Sequence, residues 1–207
     1  MKRVALVLAL LLVPVAVMAQ EEVPKAEVGI YYENLQVAHF NTTLGAANFD
    51  RKASGFGFRG TINVNRWAAV ETVLSWQPNV DITTVAGLPA NVVFGATQNA
   101  EYNIFHNEYH FKATARQGDN DQVGLFVYAG PGWVHADPNA IVESTLATSA
   151  VNKFTFTFGG GIEYYPIRKF GLRVDIGDLI AFLGTVDGVE QNTTNNLVFR
   201  IGASFRW

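Results

Sequence analysis

The last twelve residues, NLVFRIGASFRW (196–207), alternate without a break. Leu197, Phe199, Ile201, Ala203, Phe205 and Trp207 hold every second position, with Val198, Arg200, Gly202, Ser204 and Arg206 between them. On a helix, residues two apart scatter around the axis and make no apolar face, whereas on a strand they all point one way. The segment is therefore a strand with one apolar face and one polar or small face. What the chain folds into depends on which face meets water.

The same period recurs upstream. SGFGFRGTINV (54–64) sets Phe56, Phe58, Ile62 and Val64 against Gly57, Arg59, Thr61 and Asn63. KFTFTFGGGIEYY (153–165) sets Phe154, Phe156, Phe158, Ile162 and Tyr164 against Thr155, Thr157, Gly159, Gly161 and Glu163, and GLRVDIG (171–177) separates Leu172, Val174 and Ile176 from Arg173 and Asp175. Weaker versions run through 26–34 (Val28, Ile30 and Tyr32 against Glu27, Gly29, Tyr31 and Glu33) and 68–77 (Val70, Leu74 and Trp76 against Glu71, Ser75 and Gln77). Residues 103–114 set Phe105, Tyr109 and Phe111 against His106, Glu108, His110 and Lys112. In VGLFVYAGPGW (123–133) both faces are apolar, and Leu125 and Val127 are assigned to the greasy one. With the terminal segment, eight strands are expected.

The connectors alternate too. Those near 65–66, 115–122 and 166–169 are short, whereas 35–52, 78–100, 134–151 and 178–195 are long. An up-and-down meander with its two ends in different compartments produces that asymmetry.

The chain opens MKRVALVLALLLVPVAVMAQ: a basic start, an apolar run and a small-residue site at Val17-Met18-Ala19. This is the pattern of a secretory signal peptide over 1–19, leaving one domain over 20–207. Losing Lys2 and Arg3 moves the formal charge from −3 to −5, and no basic patch marks a nucleic-acid partner. The chain has no cysteine, so it has neither a disulfide framework nor a thiolate metal site.

Volume decides which face is wet. The greasy face carries fourteen rings: Phe56, Phe58, Trp76, Phe105, Tyr109, Phe111, Phe154, Phe156, Phe158, Tyr164, Phe170, Phe199, Phe205 and Trp207. The interior of an eight-stranded barrel is only just wide enough for side chains or one small ligand. Rings of ~150–250 Å² each do not fit there, but they do fit around the circumference. The other face is Gly, Thr, Ser, Asn and single charges of both signs, which suits a narrow lumen. The fold expected is an all-β, eight-stranded, antiparallel up-and-down transmembrane barrel with lipid outside.

On these residues the chain resembles the small outer-membrane β-barrel proteins of the OmpA/OmpX type. Leu197, Phe199, Ile201, Phe205 and Trp207 match that group's C-terminal strand, and 159–180 is similar to its sixth-to-seventh-strand hairpin. The resemblance implies localisation to a Gram-negative cell outer membrane. It also implies contact with lipid and lipopolysaccharide, and assembly by periplasmic chaperones and the barrel-assembly machinery through those five C-terminal residues. A monomer is expected, with nothing after Trp207 to correspond to a peptidoglycan-binding domain.

Three constellations bear on activity. His106, Glu108 and His110 share the lumenal face about 7 Å apart, a spacing open to a metal or to a polar network, of which the network is favoured and no metal or other cofactor is assigned. Some barrels in this group modify lipid A, but His39, His106, His110 and His135 are followed two residues later by Asn41, Glu108, Lys112 and Asp137, not by the serine such a deacylase uses, so no enzyme is expected. The lumenal charges are Glu27, Glu33, Arg59, Glu71, Glu108, Lys112, Glu163, Arg173, Asp175, Arg200 and Arg206. That balance reads as a salt-bridged plug rather than a pore, whose constriction would favour one sign. The expected role is structural or interactional, with four loops displayed; a small solute channel and a lipid A-modifying enzyme are the alternatives.

The charges also set a register. Opposed residues in an antiparallel pair have numbers of constant sum, and Glu27 with Arg206 and Glu33 with Arg200 both give 233. The same register puts Val28 by Phe205, Ile30 by Ala203 and Tyr31 by Gly202. The facing sets two tolerances: Ile201→Arg is expected to impair folding into bilayers badly, and Gly202 to tolerate Ser far better than Ile201 tolerates Arg.

Overall fold

The computed structural model describes residues 24–37, 40–42, 45–47, 51–84, 98–117, 122–138, 151–182, 184–186, 189–191 and 193–207. The signal-peptide segment, His39 and Asn192 lie outside them. In chain order the strands are β1 (Ala26–Val37), β2 (Phe40–Thr42), β3 (Gly45–Ala47), β4 (Arg51–Asn63), β5 (Ala68–Thr84), β6 (Gln98–Gln117), β7 (Val123–Pro138), β8 (Val151–Ile167), β9 (Phe170–Phe182), β10 (Gly184–Val186), β11 (Val189–Gln191) and β12 (Thr194–Arg206). Eight of them close a barrel in the order β1-β12-β9-β8-β7-β6-β5-β4, every pair antiparallel.

All fourteen rings of the greasy face point outward, from 38% exposed at Phe156 to 73% at Phe111, as do Leu125 and Val127. The side chains between them are buried inside the barrel. Polar-in, apolar-out is the arrangement that lipid demands of a closed sheet.

The closing register is the one the charges select: Glu27↔Arg206, Val28↔Phe205, Ile30↔Ala203, Tyr31↔Gly202 and Glu33↔Arg200. Beyond the strand ends, Ala26 and Trp207 exchange backbone bonds of 3.1 and 3.4 Å, so the final residue belongs to the seam. Pairing followed once around the barrel runs Ala26, Ile62, Val70, Phe111, Ala129, Phe158, Asp178, Leu197 and back to Gln36, ten residues above its start. A stagger of ten over eight strands tilts them by roughly 40° and fixes a lumen that side chains can fill.

The short turns explain themselves locally. At 64–67, Asn65 Oδ1 accepts from the backbone N–H of Trp67 (2.7 Å) and Ala68 (2.8 Å), a side-chain turn that suits asparagine. At the other end, the barrel strands run past their expected limits: β5 reaches Thr84, β6 begins at Gln98 and β7 reaches Pro138. A bulge between Gln77 and Val80 interrupts β5, with Asn79 at φ 52°, a conformation asparagine accepts more readily than most residues. The connectors 38–50 and 183–193 also carry the hairpins β2–β3 and β10–β11.

One expectation is corrected. Gly202 has no room for Ser, because a Cβ there would lie 2.4 Å from the Ile30 carbonyl oxygen and 2.6 Å from Tyr31 Cβ. Tyr31, its partner across the seam, presents its Cβ and Cα to Gly202 and its phenol to Gly57, where a Cβ would meet the ring at 2.2 Å.

Candidate functional site: the lumenal charge network

Strand parity delivers the site. All eleven charges expected in the lumen are buried there, from 0% exposed at Glu33, Glu71 and Glu108 to 6% at Arg59. They come from seven of the eight barrel strands, so residues remote in sequence meet.

The upper half is one connected cluster. Arg200 bridges Glu33 (Nε–Oε2, 2.6 Å) and Glu108 (Nη2–Oε1, 2.5 Å) and lies 3.7 Å from Asp175. Arg173 pairs with Glu71 (2.6 Å) and Asp175 (3.0 Å), and Arg59 reaches the same two acids at 3.4 and 3.0 Å. The histidines thread between carboxylates. His106 sets Nε2 2.6 Å from Glu33 and Nδ1 2.8 Å from Glu108, while His110 sets Nε2 2.7 Å from Glu108 and Nδ1 3.4 Å from Glu71. Ser75 donates to Glu33 (3.1 Å) and Tyr128 to Asp175 (3.2 Å).

Below it, Glu163 takes Lys112 (3.0 Å) and Arg116 (3.2 Å). At the short-turn end, Tyr165 donates to Glu27 (2.7 Å), while Arg206 stacks 3.6 Å over the Tyr165 ring and donates to the Arg168 carbonyl (2.6 Å). Glu27 and Arg206 are thus opposite in register and gathered around one tyrosine. Rings also cover the cations from within: Phe126 lies 3.9 Å under Arg173, and Tyr31 lies near both Arg59 and Arg200.

Three features escaped the sequence reading. Arg116 is buried and paired with Glu163, which makes six acids against six bases among these charges. Its signal was available: it continues the Lys112–Thr114 parity two residues beyond the expected strand end. Tyr128 and Phe126 turn inward from a segment read as apolar on both faces, and Tyr165, left unassigned, continues the inward parity of Glu163. Finally, Leu35, Ala53, Val80, Ile104, Leu179, Ala181 and Val198 form one buried apolar cluster, joined by Val134 and Ala136. Seven strands contribute, always on the long-loop side of the charges: Leu35 lies beyond Glu33, Val80 beyond Gln77, Leu179 beyond Asp175, and Ile104 and Val198 just before His106 and Arg200 in descending strands. An apolar ring therefore caps the charged column.

A closed eight-stranded barrel with an apolar belt and a charged, filled lumen defines a class: the small outer-membrane β-barrels. The chain belongs to the outer membrane protein beta-barrel domain family, whose model matches residues 5–206. Solved barrels share the fold. Neisserial surface protein A aligns with a TM-score of 0.58 at 10% identity over 88% of this chain and 97% of its own. OprG from Pseudomonas aeruginosa gives 0.56 at 10% over 91% and 99%, and Ail, the attachment invasion locus protein of Yersinia pestis, gives 0.51 at 13% over 88% and 97%. No curated protein matches the sequence. The protein is thus an outer-membrane barrel.

Proposed function

We propose that this barrel does not conduct, and that its role is structural and interactional, exercised by the four loops it holds at the cell surface. The observation that carries the reading is the double filling of the lumen. The charged column is matched in sign and ion-paired, so it has no field to draw ions of one charge. The ring of Leu35, Val80, Ile104, Leu179 and Val198 above it is an apolar constriction of the kind that stays dry. The same fold serves attachment in Ail, as its name states, and the reading extends a surface role to this chain.

Assembly by periplasmic chaperones and the barrel-assembly machinery through the C-terminal strand, in a lipopolysaccharide-bearing membrane and as a monomer, belongs to the same proposal. So does the absence of enzymatic activity. Among the described residues, the solvent-reaching histidine, His135, engages Asp137 (2.9 Å) and Asn152 (2.5 Å) with its two ring nitrogens. Planar-bilayer recording of the refolded protein tests the reading. A flat baseline is expected, and a stable unitary conductance would replace the plug with a small solute channel. Lipid A of unchanged mass on expression is expected as well; a new acylation state would establish the enzyme alternative.

A further inference from the structure

The apolar belt is interrupted by an acid. β9 continues past the alternation legible in sequence, and beyond Ile176 its outward positions are Asp178, Ile180 and Phe182. Asp178 pairs with Phe158 on β8 and with Leu197 on β12, whose side chains are 46% and 43% exposed on the lipid face. Ile176 and Ile180 flank it along the strand. A carboxylate thus stands outside the barrel wall with apolar neighbours on all four sides.

Its depth follows from the strand. The thirteen residues from Phe170 to Phe182 cover ~40 Å along β9 and, at a tilt of ~40°, ~30 Å along the barrel axis. That is about the ~30 Å thickness of a hydrocarbon core. Asp178 lies ~20 Å above Phe170 and ~10 Å below Phe182 on the same scale. It belongs to the third of the belt nearest the long connectors.

The chain itself leaves this carboxylate short of donors. It accepts from the backbone N–H of Asn196, and among the described residues no cation pairs with it. Oδ1 is covered and meets no donor among the described residues. An ionisable side chain within a membrane is costly, and where one is kept it marks a site with a partner.

We propose that Asp178 binds lipid A, accepting hydrogen bonds from the amide N–H and hydroxyl groups at the roots of its acyl chains. The inference rests on the proposed surface role, in which the long connectors lie outside the cell and Asp178 in the outer leaflet. At that depth a glycerophospholipid offers ester carbonyls, which accept and do not donate. Lipid A attaches part of its chains through amides and carries hydroxyls on them, so it brings donors to the level of the carboxylate, while its phosphates stay in the headgroup plane. Hydrogen bonds to an ionised acceptor are the stronger kind, and a low dielectric strengthens them further. Phe158, Leu197, Phe199 and Ile176, all exposed on the same face, give the acyl chains an apolar bed beside the acid. Because the site is on the outer wall, reaching Oδ1 displaces outward side chains and leaves the lumen as it is.

The full chain is refolded into phosphatidylcholine nanodiscs containing a minor fraction of lipid A, or of cardiolipin, which is also dianionic but ester-linked. Barrels are then extracted in mild detergent, and the retained lipid is counted by native mass spectrometry. One lipid A per barrel is expected, with no cardiolipin above background. Asp178→Leu should weaken lipid A retention at least ~10-fold, as the loss of a hydrogen bond to a charged group does. Leu74→Ala, outward on β5 at the far side of the barrel, should leave it unchanged. No lipid A on the wild type, equal retention of cardiolipin, full retention by Asp178→Leu or loss in Leu74→Ala would each overturn the site. The comparison of the two lipids uses the wild type, so it decides even where a variant fails to fold. Conductance is not read, so failure here leaves the closed-barrel reading to its own test.

Discussion

At the residue scale, the outward and inward faces obey opposite rules. Ile201 is 49% exposed to what is lipid in the membrane, and Arg there costs ~2–4 kcal/mol near the midplane. Ile201→Arg should therefore fail to fold into vesicles, as read by the mobility shift of the folded barrel. Gly60 also faces outward, and a Cβ added there would meet nothing within 4 Å, so Gly60→Val should fold as well as the wild type. Equal behaviour of the two variants would reverse the faces. Inside, Arg200→Met leaves Glu33 and Glu108 without their shared guanidinium. Breaking a buried pair by removing one partner costs ~3–5 kcal/mol, a loss to be measured by urea unfolding of the refolded barrel. Which residues face inward was legible in sequence because a period of two reports facing directly. The intolerance of Gly202 was not: alternation places Tyr31 opposite it but does not say how closely the strands approach, with the Ile30 carbonyl oxygen 2.4 Å and Tyr31 Cβ 2.6 Å from where a Cβ would stand.

At the element scale, the eight strands, the order of short and long connectors and the closing register were all readable, each for a physical reason. Slipping the seam by one residue would turn every side chain to the wrong face, and slipping by two would part both acid–arginine pairs. What was hidden lies at the long-loop ends. There the lumenal side chains become apolar, as at Leu35, Ile104, Val134 and Val198, so both faces look alike and the alternation that marks a strand disappears. The extensions of β5, β6 and β7 at that end were missed for this reason, whereas Arg116, at the short-turn end of β6, continues a parity that was open to reading. The chain's lack of cysteine makes the seam testable on its outward side, where the charged column is undisturbed. Cysteines at Ile30 and Ala203 should crosslink on mild oxidation more efficiently than cysteines at Ile30 and Phe205, given suitable bridge geometry. The reverse ranking would place β12 two residues away. The same strand carries the expected assembly signal. Replacing Trp207 by Asp should leave the protein in the periplasm, as read by surface labelling of whole cells, and normal labelling would remove that role from the C-terminal residues.

At the scale of the whole molecule, a stagger of ten residues on eight strands sets a narrow lumen, into which this chain turns two unlike sets of side chains, a charged network and an apolar cluster. On the closed-barrel proposal, the charged column would exclude passage by occupancy: its side chains hold one another at 2.5–3.7 Å, and an ion would have to displace an ion pair. On the same proposal, the apolar ring would exclude passage by desolvation, since water and ions gain nothing from entering it. Two barriers in series make a specific prediction. Leu35→Ser with Ile104→Ser wets the ring but leaves the column, and planar bilayers containing that variant should stay silent. Glu108→Ala with Arg200→Ala removes one acid and one base, keeping the charge balance while thinning the column. It leaves the ring dry, and it should stay silent too. All four substitutions together remove both barriers and should give a steady conductance, provided the mobility shift shows each variant folded. Conductance from the first pair alone would mean that the charged column is permeable, and conductance from the second pair alone would mean that the ring is already wet; either result would reduce the two closures to one.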